Sequence, residues 1–298
     1  MVIIKKVIQN KINKKKVYNF YKFIKLLYFR KFNQIALKKY KECDIINKHK
    51  LCNYSRDLDF TTKGLINDFN INHINDLNYI KNFMIKSIIC RVLPYKNIIL
   101  ILKKYNNLIN VNITNNTINN IYDEIEGKGA YRGSTVKTLC LKRLNHLIDQ
   151  VKNIKNINDI KDIHYIINKL ESYKKYKIKE PFNKINFSSY QILLDLNLIG
   201  LLNLNKVSYV GPGAIQTIND IFDNNDDIIN KNDLGDKLLI IFNEINNNYP
   251  YICYLFVCRN LKFDIHSIEF LLCEFRKFSN HINPNLKYKL PIYKPRNK

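Results

Sequence analysis

The sequence predicts an all-α protein. Three observations carry that prediction. Apolar residues recur at three- and four-residue spacing over 73–105, 135–151, 158–178, 186–202, 213–222, 234–247 and 263–280, as one face of a helix requires. No strand–helix–strand alternation and no Asn-Gly or Asp-Gly hairpin signal interrupts these segments. Gly and Pro, the usual punctuation of turn-rich β folds, number only 8 and 7 in 298 residues. With 46% hydrophobic and 12% aromatic residues, the chain can bury a substantial core.

The opening MVIIKKVIQNKINKKKVYNFYKFIKLLYFRKF sets apolar residues among lysines at helical spacing. Residues 1–50 hold 15 Lys/Arg against the two acids Glu42 and Asp44, a net of +13; the other 248 residues hold 34 against 23, a net of +11. Three readings fit that segment: an arm on nucleic acid, an organelle-targeting presequence, or a membrane-surface helix. Residues 106–120 and 220–236 are Asn/Asp-rich and read as surface loops or insertions. After Glu274 the tail carries Arg276, Lys277, Lys287, Lys289, Lys294, Arg296 and Lys298 and no acid. The expected organisation is a basic arm over 1–49, a helical domain over 50–285 and a basic tail over 286–298.

A formal net charge of +24 calls for a polyanion, because self-repulsion otherwise opposes compaction. Over-use of Ile, Asn, Lys and Tyr, all with AT-rich codons, discounts part of that excess. A nucleic-acid backbone is the expected partner, DNA or RNA, with ribonucleoprotein partners among the candidates. No run of about 18 apolar residues exists, which excludes a transmembrane helix. Seven cysteines at irregular spacing do not read as a disulfide framework, so the expected location is intracellular: a mitochondrial or other organellar matrix, or the nucleus.

Several constellations fail on chemistry. The run Asp223–Asp227 lacks the Gly and the terminal Glu of a calcium loop. Cys253, Cys258, His266 and Cys273 fit no common zinc spacing and sit in apolar surroundings. No Walker loop, dinucleotide fingerprint or nucleophile elbow occurs. Neither a metal nor a cofactor is expected.

One segment stands apart. A helical run from Phe187 leads into Val210-Gly211-Pro212-Gly213-Ala214 and then a second helical run to Phe222. Two glycines around a helix start can leave backbone N–H groups uncovered beside a positive dipole end, a place to grip a phosphate.

YQILLDL (190–196) followed by GPGA (211–214) resembles the signature of a family related to helix-hairpin-helix DNA glycosylases. These are the alpha-glutamyl/putrescinyl thymine pyrophosphorylases, whose domain is also the helical domain named after 5-hydroxymethyluracil DNA kinases. Three more blocks are similar and in order: Arg56-Asp57-Leu58-Asp59, Gly129-Ala130-Tyr131-Arg132, and Ser267 to Phe278 with Glu269, Leu272-Cys273-Glu274-Phe275 and Lys277. Ser267, Phe270, Arg276 and Phe278 stand where the family has Asp, Asn, Asp and Tyr, a loss of two carboxylates. The resemblance implies a helix-hairpin-helix DNA glycosylase-like helical domain with basic N- and C-terminal extensions. It implies displacement of a leaving group from a hypermodified thymine extruded from DNA. Arg56 and Lys277 would neutralise the leaving group, and Glu274 or Asp195 would act as base. Gly211, Gly213, Ala214, Tyr131, Arg132 and Gln191 would touch nucleic acid. With two carboxylates gone, a binding protein that keeps the fold without catalysis, such as an organellar ribosome component, is the alternative.

Overall fold

The computed structural model describes residues 12–48, 51, 54–93, 95, 97–125, 137–172, 185–204, 209–223 and 233–282, the side chains of Arg56, residues 137–139 and His281 excepted. Among them lie fifteen α-helices, three short 3-10 turns and no strand. The protein is all-helical, as its periodicity dictates.

In chain order, the first segment carries α1 (Lys14–Phe32), α2 (Gln34–Leu37) and α3 (Cys43–Lys48). There follow α4 (Phe60–Asn67), α5 (Leu77–Val92), α6 (Ile98–Lys104), α7 (Asn115–Ile125), α8 (Lys137–Lys152), α9 (Ile157–Lys161), α10 (Ile163–Leu170) and α11 (Phe187–Leu198). The last segment carries α12 (Pro212–Ile221), α13 (Leu234–Asn248), α14 (Tyr251–Val257) and α15 (Ile265–Ile282). These helices sort into two compact units. One is continuous, Asp57–Tyr209; the other joins Met1–Arg56 to Val210–Lys298. The span 50–285 expected as one helical domain runs across both units.

In the continuous unit α5 is the central post, buried at Ile80, Phe83, Met84, Ile85, Ile88, Ile89 and Cys90 against α8, α11, α4 and α6. Asp76 caps it, its carboxylate accepting the N–H groups of Asn78 and Tyr79. The helix stops at Leu93, the residue before Pro94, where the α conformation is disfavoured, so the segment expected over 73–105 is two helices. The expected loop over 106–120 in turn contains most of α7. Ile118, Ile121 and Ile125 bury one stripe of it, and three- and four-residue spacing overrides the Asn-rich composition. At the end of α11, Gly200 adopts φ +78°, and Leu201 N–H returns to the Leu196 carbonyl, a left-handed stop that favours glycine.

In the discontinuous unit α15 is the post, packed by α12, α13, α1 and α3. The expectation of a peripheral arm over 1–49 does not hold for its described part. Val17, Phe20, Phe23, Ile24 and Leu27 of α1 are fully buried, with the Phe20 and Phe23 rings each 5.4 Å from Phe275 and Phe23 4.9 Å from Phe278. Five such side chains each stabilise the fold by about 1.5–3 kcal/mol, which outweighs the cost of assembling a basic helix. The lysines keep to its other faces. Some of its cations also tie helices together: the Lys16 ammonium binds the Asp220 carbonyl and the Asp220 and Asp223 carboxylates at the C-terminus of α12, where a cation is favoured, and Lys22 pairs with Glu42.

Candidate functional site

Two polar centres lie within the helical framework, one in each unit. In the continuous unit α11 presents Asp195 to α5, where Ser87 and Arg91 share a face one turn apart. Ser87 Oγ donates to Asp195 Oδ2 at 2.6 Å. Arg91 grips the same carboxylate with both arms, Nε to Oδ2 at 2.9 Å and Nη2 to Oδ1 at 2.7 Å. Nη2 also donates to Thr62 Oγ1 at 3.0 Å, and Thr62 is held in turn by Asp59, the cap of α4. Asp195 and Ser87 are fully buried. Burial works against the guanidinium charge, but the Asp195 carboxylate more than offsets it and holds the Arg91 pKa above its ordinary value. A carboxylate so neutralised and shielded is built to tie α11 to α5. Gln191 lies half-buried one turn before it on α11.

The second centre runs along α12 and α15, which pack side by side in parallel: Gly211 meets Glu269, Gly213 meets Cys273 and Gln216 meets Arg276. Gly211 is the N-cap of α12 at φ −74°, ψ 160°, ordinary extended backbone, and Pro212 fills the first helical position. Its N–H donates to Glu269 Oε1 at 3.0 Å in a buried contact. The chain's own carboxylate thus holds the place at the helix start that a phosphate oxygen would take. Gly213 serves close approach: a Cβ there would fall on Cys273 Sγ, far inside contact distance. Ala214 is fully buried.

Farther along α15, Glu274 is buried and bonded to Lys277 Nζ at 2.5 Å, so two residues expected to serve as base and leaving-group cation form one ion pair. Arg276 donates to Gln216 Oε1 at 2.5 Å, and Thr217 Oγ1 to the Leu272 carbonyl at 2.9 Å. Ser267 belongs to the start of α15, its N–H donating to Asp264 Oδ1 at 2.9 Å. Burial pushes the Cys273 thiol up to about 11.

The structure therefore brings Glu274 to Lys277, and it puts Asp195 in one unit and Glu274, Lys277, Gly211, Gly213 and Ala214 in the other. Tyr131 and Arg132 lie outside the described residues, as does the side chain of Arg56. Sequence reasoning missed Ser87, Arg91 and Thr62. Their only sequence signal is a Ser and an Arg four residues apart on an apolar helix, which becomes informative once Asp195 is known to face them. No group of three or more His, Cys, Asp or Glu that could hold a metal occurs among the described residues, and no described helix is long and apolar enough to cross a membrane.

The pattern of the family described as 5-hmdU DNA kinase, helical domain, matches residues 11–288. The match opens three residues before α1, in keeping with that helix being part of the core. No curated protein and no solved structure matches the chain.

Proposed function

The chain belongs to the helical-domain family of 5-hmdU DNA kinases, and from that premise we propose that it binds DNA and serves base modification by holding the substrate, without performing the chemistry itself. The observation that carries this reading is the commitment of every described carboxylate expected to act as base. Asp195 is closed off by Ser87 and Arg91, Glu274 is joined to Lys277, and Glu269, a further carboxylate of the C-terminal block, caps α12. A general base needs an oxygen within reach of the proton it removes, and a fully buried Asp195 whose two oxygens accept three hydrogen bonds offers none. The excess of cations remains, and phosphate is the chemistry it suits.

Family membership favours DNA over the ribonucleoprotein assembly that basic chain ends also fit. The glycosylase-like hairpin grip at Gly211 and Gly213 receives no support from the packing, since Glu269 and Cys273 use both positions. The name of the family points to 5-hydroxymethyluracil, a thymine-derived base, as the modified nucleobase in the DNA it meets.

The test pairs binding with product analysis. Affinity for DNA containing 5-hydroxymethyluracil should fall steeply with ionic strength, the log–log slope counting the phosphates neutralised at about 0.9 each. Nucleosides recovered from that DNA after incubation with the protein and a nucleoside triphosphate with Mg2+ as phosphoryl donor should be unchanged by mass spectrometry. No measurable affinity at low salt removes the binding reading, and a new nucleoside removes the non-catalytic one.

A further inference from the structure

The exposed residues of the discontinuous unit include an uncommon run of tyrosines. α1 buries its phenylalanines and turns Lys14, Lys15, Tyr18, Asn19 and, half-exposed, Tyr21 and Lys25 outward. Tyr21 stacks on Tyr249 with centroids 4.6 Å apart and planes at 20°, and Tyr18 stands 5.9 Å from Tyr21 and 6.2 Å from Tyr249. On α14, Tyr251 and Tyr254 are stacked at 6.2 Å and 25°. Lys25 joins the two groups, its ammonium 5.6 Å from the Tyr251 ring. Tyr18, Tyr251 and Tyr254 expose 52%, 44% and 64% of their surface. A monomer gains nothing in stability by leaving such rings in water, and α1 carries seven Lys/Arg with no acid.

We propose that this tyrosine–lysine face of α1 and α14 is a stacking platform for single-stranded DNA, with unpaired bases on the tyrosines and phosphates on Lys15 and Lys25. The chemistry fits because aromatic faces accept any base, while lysines beside them neutralise the backbone that links one base to the next. A duplex offers no free base face to such rings, so the platform selects strands that are already open or opened locally. The inference rests on the DNA-binding reading above and adds the place and the strand state. An extruded or unpaired stretch is the form in which a base becomes accessible to chemistry, so a domain that holds one strand suits the modification of bases.

The full chain decides it by fluorescence anisotropy with labelled oligothymidylate, oligouridylate and duplex DNA, beside sedimentation with anionic phosphatidylserine vesicles. Tyr18→Ala with Tyr254→Ala should weaken binding of the single strands by about tenfold or more while leaving the slope of log affinity against log salt in place. Tyr18→Phe with Tyr254→Phe should restore it, because stacking needs the ring and not the hydroxyl. Lys15→Ala with Lys25→Ala should instead flatten the slope by about two phosphates' worth. Binding oligothymidylate at least as tightly as oligouridylate is expected, and a clear preference for oligouridylate overturns DNA as the strand held. The chain has no tryptophan but 20 tyrosines, so the part of the fluorescence quenching on binding that is lost in Tyr18→Ala with Tyr254→Ala reports the stacked rings. Equal affinity of parent and Tyr→Ala protein overturns the platform and leaves DNA binding standing. Tighter binding to duplex, or to vesicles without oligonucleotide binding, overturns it as well. Absence of any polynucleotide affinity removes both this inference and the reading it rests on.

Discussion

Replacing Asp195 by asparagine separates a structural carboxylate from a catalytic one. The native group, itself fully buried, receives Ser87 Oγ at 2.6 Å and two guanidinium N–H groups of Arg91 at 2.9 and 2.7 Å. Asparagine keeps the volume but replaces one accepting oxygen with an amide N–H2 that faces the guanidinium. Arg91 is then left with half its main partner, and among the described residues only Asp59, 4.0 Å from its Nη1, still opposes its charge. Breaking a buried pair from one side costs about 3–5 kcal/mol. For a domain of this size each kcal/mol moves the melting temperature by about 2–4 °C, so the fall should be roughly 6–20 °C, followed by far-ultraviolet circular dichroism. Arg91→Met combined with Asp195→Leu removes both charges together and should recover most of the loss, because two apolar side chains need no partner. A catalytic Asp195 gives the opposite pattern: Asp195→Asn melts with the parent protein and abolishes conversion of modified DNA. That result would refute the assignment.

Gly213→Val should lower the melting temperature, overpacking against Cys273 costing about 1–3 kcal/mol, while the DNA affinity of the protein that remains folded is unchanged. Phe23→Ala should cost about 3–5 kcal/mol, as a core aromatic does, whereas Lys31→Ala on the exposed side of α1 should stay within about 0.5 kcal/mol; equal, small effects in urea unfolding would return α1 to the status of an arm. Cys273 should resist alkylation at neutral pH. Its thiol is pushed by burial from 9.0 to about 11, so its contribution to stability is complete below pH 9 and is lost as pH rises through about 11. Comparing stability against pH for the parent and Cys273→Ala checks this, since the extra alkaline loss should vanish in the variant.

Periodicity made α12, α13 and α15 legible to within two residues and α11 to within four, because each has a contiguous apolar stripe. Composition misled where it outvoted spacing. The asparagines around Ile118 and Ile121 disguised α7 as a loop, and the lysines among Val17, Phe20 and Phe23 disguised a core helix as an arm. The site was harder for a different reason. Asp195 stood out in its motif, yet its meaning depends on Ser87 and Arg91, 108 and 104 residues away. Glu269 and Gly211 are 58 apart. Pattern reading reports which face a residue occupies, whereas pairing across such distances is decided by how helices pack. The glycines of the GPGA turn were visible as special, but whether they open space for a ligand or for a neighbouring helix is set by Cys273 on α15.

The division of the chain also sets an order of birth. The continuous unit, Asp57–Tyr209, is complete on the ribosome well before the other. α1 must wait for α12 to α15 before Phe20 and Phe23 have Phe275 and Phe278 to pack against, although Phe29 and Phe32 meet Tyr40 and Tyr54 sooner. At about 5–20 residues per second, the interval from Phe32 to Ile282 is roughly 12–50 s. Throughout it the nascent chain trails a strongly cationic helix whose Phe20 and Phe23 face is uncovered, the kind of segment that chaperones and the ribosome's own anionic surface hold. Rejoining the ends is cheap by comparison, since closure entropy grows only with the logarithm of the intervening length. A permuted chain that starts at Val210 and runs through a linker into α1 would present the halves of this unit consecutively. It should reach the same fold with less aggregation during synthesis.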